Sequence, residues 1–259
     1  MDQVLKLEKK YSRYRDDSDV EAINRTAGTR QKLCVDSETA GLLDYAQIAF
    51  EQSDGLFDIT SGVLRQIWNF KSGILPSQSQ IDQILNLIGW EKIQWQNPFI
   101  TLPKGMELDF GGYVKEYAAD TVATFCQDNG VEHGLVDLGG DIRVIGPHPD
   151  GKPWKIGVRN PEAPDQPLGF IESTKGGVAT SGNYERFMTV DGCRYGHILN
   201  PLTGWPVSGL VSVTVQAEQC LIAGTMSTIT MLKGEQKGVA WLASMGLPNL
   251  VIKENEMPK

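Results

Sequence analysis

The groups in this chain that could do chemistry gather in four short stretches, each containing glycine. In Leu108-Asp109-Phe110-Gly111-Gly112-Tyr113-Val114-Lys115 an acid, two glycines and a lysine stand at the mouth of a helix whose pattern runs on to Gln127. Exposed backbone N–H groups and the positive end of a helix dipole meet an anion in such a setting, and Lys115 adds a point charge. The same residues also read as a glycine turn with a solvated lysine. Gly134-Leu135-Val136-Asp137-Leu138-Gly139-Gly140-Asp141 is a strand ending in Gly-Gly, where a ligand can approach the backbone or a hairpin can bulge. It lacks G-x-G-x-x-G spacing and so is not a dinucleotide fingerprint. Gly176-Gly177-Val178-Ala179-Thr180-Ser181-Gly182-Asn183-Tyr184-Glu185-Arg186 joins a strand to a hydroxyl-rich turn suited to a planar or phosphorylated ligand. Ser181 there lacks the G-x-S-x-G elbow of a hydrolase nucleophile. In Tyr195-Gly196-His197-Ile198-Leu199-Asn200-Pro201, His197 could take a proton from a hydroxyl near neutral pH, or could cap the loop before Asn200-Pro201.

The elements that must position these groups change character along the chain. Val4, Leu5, Leu7 and Tyr11 predict an amphipathic helix over 3–15, and Leu42, Leu43, Ala46 and Ala49 one over 37–52 with Ser37 as N-cap. Gly55 to Gly62 reads as a tight loop, Ser79 to Leu87 as a helix, and 92–95 with 99–102 as a hairpin. Asp109 to Gln127 begins with a glycine pair and continues with Tyr117, Ala118, Val122 and Phe125 at helical spacing, a loop leading into a helix N-terminus. From residue 133 on, short β-type runs dominate (135–137, 142–145, 154–158, 170–172, 178–180, 211–215), then helices near 222–232 and 235–245 and a last strand at 249–253. Helices early and strands late predict an α+β fold with mainly antiparallel sheet, not an alternating α/β wheel.

Composition narrows the function classes. Lys and Arg number 24 against 32 Asp and Glu, a net charge of −8 with no basic block, so nucleic acid is not an expected partner. Cys34, Cys126, Cys193 and Cys220 form no paired motif and read as free thiols or core fillers. The N-terminal MDQVLKLEKKYSRYRDD lacks an apolar signal core, and no stretch approaches the ~20 apolar residues of a membrane helix. The chain as written reads as neither exported nor anchored.

Taken together and in order, these stretches resemble the ApbE family, the FAD:protein FMN transferases. The resemblance runs over nearly the whole chain. It is carried by Ser12-Arg13-Tyr14 through Ser18 and Asn24, Gly55-Leu56-Phe57-Asp58-Ile59-Thr60, Leu108-Asp109-Phe110-Gly111-Gly112 through Lys115, and Tyr117-Ala118-Ala119-Asp120. Val136 to Asp141, Val178 to Glu185, and His197-Ile198-Leu199-Asn200-Pro201 with Thr203-Gly204 complete it. It implies a single two-lobed domain over 1–259, T-fold-like, with the flavin between the early helical part and the late strands. The implied enzyme uses Mg²⁺ to split FAD, transfers FMN to a Thr or Ser hydroxyl of a target flavoprotein and releases AMP. By position, Tyr14, Leu56, Phe57, Asp58, Asp109, Lys115 and Leu199 stand as FAD contacts, His197 as general base, and the Gly112 carbonyl and Thr228 hydroxyl as metal ligands.

Some departures stand out. Ala223-Gly224-Thr225-Met226-Ser227-Thr228 has glycine where the family usually has a carboxylate four residues before the ligand Thr228, leaving water, Ser227 or Thr225 as substitutes. Asn200 replaces a common Asp, and Glu116 a common Gly. The family's export signal and first strand are absent from this sequence as given, although its members are typically exported and membrane-tethered. Gly224 motivates an alternative, a flavin-binding carrier or regulator without turnover; slow hydrolysis of FAD to FMN and AMP is another.

Overall fold

Polar caps set where the early helices begin. The computed structural model describes residues 2–254 except 162 and 164, and the chain forms two compact units. One comprises Leu5–Gly112 and Arg186–Val207; the other comprises the residues up to Val4, Tyr113–Glu185 and the chain from Ser208 on. α1 (Asp2–Tyr11) buries Leu7 and Tyr11 and ends four residues before the predicted Arg15, because residues 13–17 enter turns. α2 (Asp19–Arg25), which the sequence reading missed, starts where the Ser18 hydroxyl accepts the Glu21 N–H at 3.1 Å. β1 (Leu33–Cys34) leads to α3 (Ser37–Gln52), whose limits match the prediction. Its cap is Asp36 rather than Ser37: the Asp36 carboxylate accepts the Thr39 N–H at 2.8 Å, the stronger charged acceptor one residue earlier.

The predicted Gly55–Gly62 loop runs into a 3₁₀ turn, Ile59–Gln66, capped by Asp58. α4 (Gln78–Leu85) opens on a capping box made by Ser77 and Gln80. β2 (Gln94–Gln96) and β3 (Phe99–Thr101) form the expected hairpin, with β1 antiparallel to β3. Val63, Leu64, Trp68, Ile84, Ile88 and Met188 make a core cluster of this unit, and the Trp68 indole donates to the Gly204 carbonyl at 2.8 Å.

In the other unit α5 (Val114–Asp128) is followed by β4 (Gly134–Leu138), β5 (Asp141–Gly146), β6 (Trp154–Val158), β7 (Gly169–Ser173) and β8 (Gly176–Gly182). The chain then returns to the first unit for a hairpin the sequence does not predict, β9 (Phe187–Val190) and β10 (Cys193–Gly196), before β11 (Leu210–Ala217), α6 (Cys220–Ser244) and β12 (Asn249–Lys253). The main sheet has the order β12-β11-β8-β5-β4 with every neighbour antiparallel, and β6 pairs with β7 separately. α5 and α6 pack on each other, with α5 against β5 and α6 against β8 and β11. The α+β expectation holds. So does the expectation of two helices after residue 220: Gly234 (φ 75°, ψ 179°) breaks α6 where only glycine is unstrained.

α5 forms as expected, but the residues at helical spacing are not all its buried face. Ala118 is buried, but Tyr117 and Val122 are half-buried and Phe125 is exposed; Glu116, Ala119 and Ala123 are buried instead. Three alanines let α5 lie close to its neighbours, and a carboxylate goes inside with them.

Candidate active site

In the first unit the candidate residues are held by a network that starts at Asp109. Its carboxylate is ion-paired with Arg13 and accepts the Gly111 N–H at 2.9 Å, while its own N–H donates to Ile59 O at 2.8 Å. Arg13 reaches the Tyr14 hydroxyl at 2.8 Å and lies over the Tyr14 ring, which is 78% exposed and so available to a planar partner. The Asn24 side chain clamps both backbone groups of Leu108, which explains why Asn24 belongs to the motif. Gly62 is required by proximity: a Cβ there would stand 2.5 Å from the Asp109 Cβ.

The 55–58 loop is fixed from inside. Leu56 is half-buried and Phe57 buried, with the Phe57 N–H held by the Ser53 hydroxyl at 2.7 Å. Asp58 spends both oxygens on the fold, Oδ1 on the Thr60 N–H (2.8 Å) and hydroxyl (2.7 Å), Oδ2 on the Trp90 N–H (3.1 Å). Burial nevertheless outweighs these bonds and holds its carboxyl above the usual range. A cavity of about 560 Å³ lies beside this loop. Glu51, Asp54, Asp58 and Glu91 are in its lining and no lysine or arginine is, so it is poorly matched to a diphosphate.

His197 is half-buried, and its Nδ1 is 3.2 Å from the Arg186 carbonyl. A carbonyl can only accept, so in the neutral ring Nδ1 carries the proton and Nε2 the lone pair a general base needs. Leu199 bridges to Pro206. Asn200 accepts the N–H groups of Leu202 (2.8 Å) and Thr203 (3.2 Å) through Oδ1, a task that needs an oxygen but no charge. Its departure from the family's Asp therefore costs the turn nothing.

The other unit gathers charges and hydroxyls. The exposed Lys115 places its ammonium 2.5 Å from the buried Asp141 carboxylate, whose Oδ1 accepts the Thr180 N–H at 3.2 Å. Burial pulls the lysine down, but Asp141 outweighs it and the net shift is upward. Ser181 Oγ bonds Ser227 Oγ at 2.7 Å and Thr228 Oγ1 at 2.8 Å, and Ser227 donates to Gly224 O at 2.8 Å. Ser181 thus faces hydroxyls rather than a base, and nothing activates it as a nucleophile. Glu116 is 8% exposed, and burial first, then the Asp141 charge, hold its carboxyl above the usual range. Among the described residues no three or more His, Cys, Asp or Glu side chains cluster as for a metal.

Of the expected metal set, Ser227 and Thr228 come together through Ser181, and Gly112 lies exposed two residues ahead of α5. The sequence reading did not single out Arg13 or Asp141 as site residues. For Asp141 the available signal was an acid directly after Gly139-Gly140 at the start of a strand. Asp120, quoted only as part of a motif, accepts the N–H groups of Cys220 and Leu221, both at 2.9 Å, and so anchors the start of α6 to α5. The close approach also requires Gly177, where a Cβ would stand 2.2 Å from the Cys220 nitrogen.

The antiparallel sheet under two helices and the ordered glycine motifs define a class that comparison makes specific. A model of the ApbE family matches residues 1–251, and the chain belongs to that family. A relative from Vibrio cholerae named FAD:protein FMN transferase is 29% identical over 253 residues, covering 95% of this chain and 75% of that protein. One of the same name from Klebsiella pneumoniae is 33% identical over 236 residues, covering 88% and 72%. Among solved structures, the ApbE protein of Thermotoga maritima superposes with a TM-score of 0.90 at 34% identity, covering 98% of this chain and 84% of that one. The flavin transferase ApbE of Vibrio cholerae does so with 0.87 at 28%, covering 98% and 82%. Among the described residues no helix is long and apolar enough to cross a membrane.

Proposed function

We propose that this chain is an FAD:protein FMN transferase, moving FMN from FAD to a Thr or Ser hydroxyl of a target flavoprotein with Mg²⁺ and releasing AMP. The observation that carries the reading is His197, held by the Arg186 carbonyl in the tautomer that leaves Nε2 as the basic nitrogen, in a chain of this family. In the proposed step the acceptor oxygen bonds to the phosphorus on the FMN side. The P–O bond to the AMP phosphate breaks, AMP leaves, and the hydroxyl proton passes to His197 Nε2. Lys115 offers positive charge to the phosphates, and Asp141 holds its ammonium in place. Tyr14, Leu56 and Leu199 supply flavin-facing surface; buried Phe57, with Asp58 and Asp109, shapes the loops that present it.

The residues present fit a hard cation: the Ser181 hydroxyl lies within hydrogen-bond reach of those of Ser227 and Thr228, and Gly224, whose carbonyl Ser227 bonds, packs against Glu116, whose buried Oε2 has no hydrogen-bond partner among the described residues. The Ser227 and Thr228 hydroxyls, with the Ser181 hydroxyl they bond, are the proposed oxygen donors. Bound Mg²⁺ would neutralise charge on the diphosphate and on the departing phosphate.

The test is FAD turnover, followed as AMP by chromatography, with a Thr-bearing acceptor peptide, with and without Mg²⁺. The reading expects AMP only with Mg²⁺, and a loss of about 10²–10⁴-fold in His197→Ala, the usual contribution of a general base. FAD bound and recovered intact would support the carrier reading that Gly224 motivates.

A further inference from the structure

We infer that Glu116, reaching from α5, supplies the carboxylate oxygen of a divalent-cation site whose other donors are the Ser181, Ser227 and Thr228 hydroxyls, and that Gly224 is glycine to admit it. The identity of the ion as Mg²⁺ rests on the transferase reading; the site itself rests on packing.

A Cβ on residue 224 would stand 2.7 Å from Glu116 Cγ, 2.8 Å from Oε1 and 2.9 Å from Cδ. Any side chain at 224 therefore excludes Glu116 from its place. Gly224 is needed for room rather than for conformation: it has no positive φ, and glycine inside a helix costs about 1 kcal/mol relative to alanine. The register follows from Asp120. That residue fastens the first N–H groups of α6, Cys220 and Leu221, to α5. Glu116 is one turn before Asp120 on α5, and Gly224 one turn after Cys220 on α6, so the two face each other.

The meeting point is where the hydroxyls begin. The Gly224 carbonyl accepts the Ser227 hydroxyl at 2.8 Å, and the chain of contacts continues through Ser181 to Thr228. Among the described residues Glu116 Oε2 has no hydrogen-bond partner, and it is fully buried in a residue 8% exposed. Burying a carboxylate oxygen without a partner is costly, and a bound ion is one of the few things that repay it. The nearby Lys115 ammonium is engaged with Asp141 at 2.5 Å. A magnesium-type ion takes oxygen donors with one or two carboxylates, which is the set Glu116 completes. The carboxylate missing from α6 at residue 224 thus arrives from the neighbouring helix.

The test uses Mn²⁺ alone as probe, its binding to the full chain read from loss of the free-ion EPR signal, with no FAD or acceptor present. Wild type is expected to bind; Glu116→Gln, which keeps the shape, is expected to lose at least about tenfold in affinity, since even outer-shell losses cost about 10–100-fold. Gly224→Asp alone is expected to lower both Mn²⁺ affinity and thermal stability by collision with Glu116. Glu116→Ala combined with Gly224→Asp returns the carboxylate to α6 and is expected to regain affinity within a few-fold of wild type. Wild-type protein that does not bind Mn²⁺, or Glu116→Gln that binds as wild type does, overturns the inference. Because no flavin is present, Mn²⁺ bound through Glu116 in a protein that leaves FAD intact would sink the transferase reading and keep this one.

Discussion

Replacing Asp58 with alanine removes one carboxylate and leaves two buried amides, Thr60 N–H and Trp90 N–H, without their acceptor; the Thr60 hydroxyl keeps its contact with the Gly89 N–H at 2.8 Å. Each orphaned buried donor costs about 1–3 kcal/mol, so Asp58→Ala is expected to lose about 2–6 kcal/mol. At about 2–4 °C per kcal/mol for a chain of this order, the melting temperature falls accordingly. Asp58→Asn keeps one oxygen for Thr60 and loses only the contact to Trp90, so roughly half of the loss is recovered. Urea denaturation of the flavin-free protein measures both, and FAD affinity from flavin fluorescence is taken in parallel. An Asp58→Ala protein within about 0.5 kcal/mol of wild type would refute the argument, since that is the range of an inconsequential surface change. Asp58→Asn that is as stable as wild type yet loses FAD would make the carboxylate a direct ligand contact and not a loop anchor.

Further outcomes follow from the same geometry. Because burial raises the Asp58 carboxyl in the folded state, the stability of wild type relative to Asp58→Asn is greatest below the unfolded value of about 3.9 and declines as pH rises through the raised value; a difference flat across pH 3–7 contradicts this. Asn200→Asp keeps the acceptor oxygen and should melt within about 0.5 kcal/mol of wild type, whereas Asn200→Ala should cost about 1–2 kcal/mol. A thiol reagent should modify the exposed Cys34 and Cys193 in the native protein, while buried Cys220, whose thiol burial pushes far up, reacts only after unfolding; peptide mapping of the labelled sites decides.

Much of the fold was legible because its signals are local. α3 and β12 fall where periodicity put them, and the break at Gly234 was visible as two separate apolar runs. The hairpin of β9 and β10 was missed although Asp191-Gly192, both at positive φ (50° and 78°), is a strong two-residue turn signal. α2 was missed because seven residues are too few to show a period. Helical spacing marks α5 but not its inner face: close helix packing selects the alanines and turns Phe125 outward. The motifs named the site residues, but their partners come from elsewhere in the chain. Asp120 acts on Cys220 a hundred residues away. The complementarity of Glu116 and Gly224 reads as two unrelated departures until the helices are packed.

The most direct test of the central claim is the intact mass of an acceptor protein after incubation with this chain, FAD and Mg²⁺, alongside AMP in the same sample. The account predicts an acceptor heavier by one FMN less one water, on a Thr or Ser, with one AMP released for each. AMP without any mass added to the acceptor would make the chain an FAD hydrolase, and FAD held without either product would make it a carrier; both contradict the transferase account.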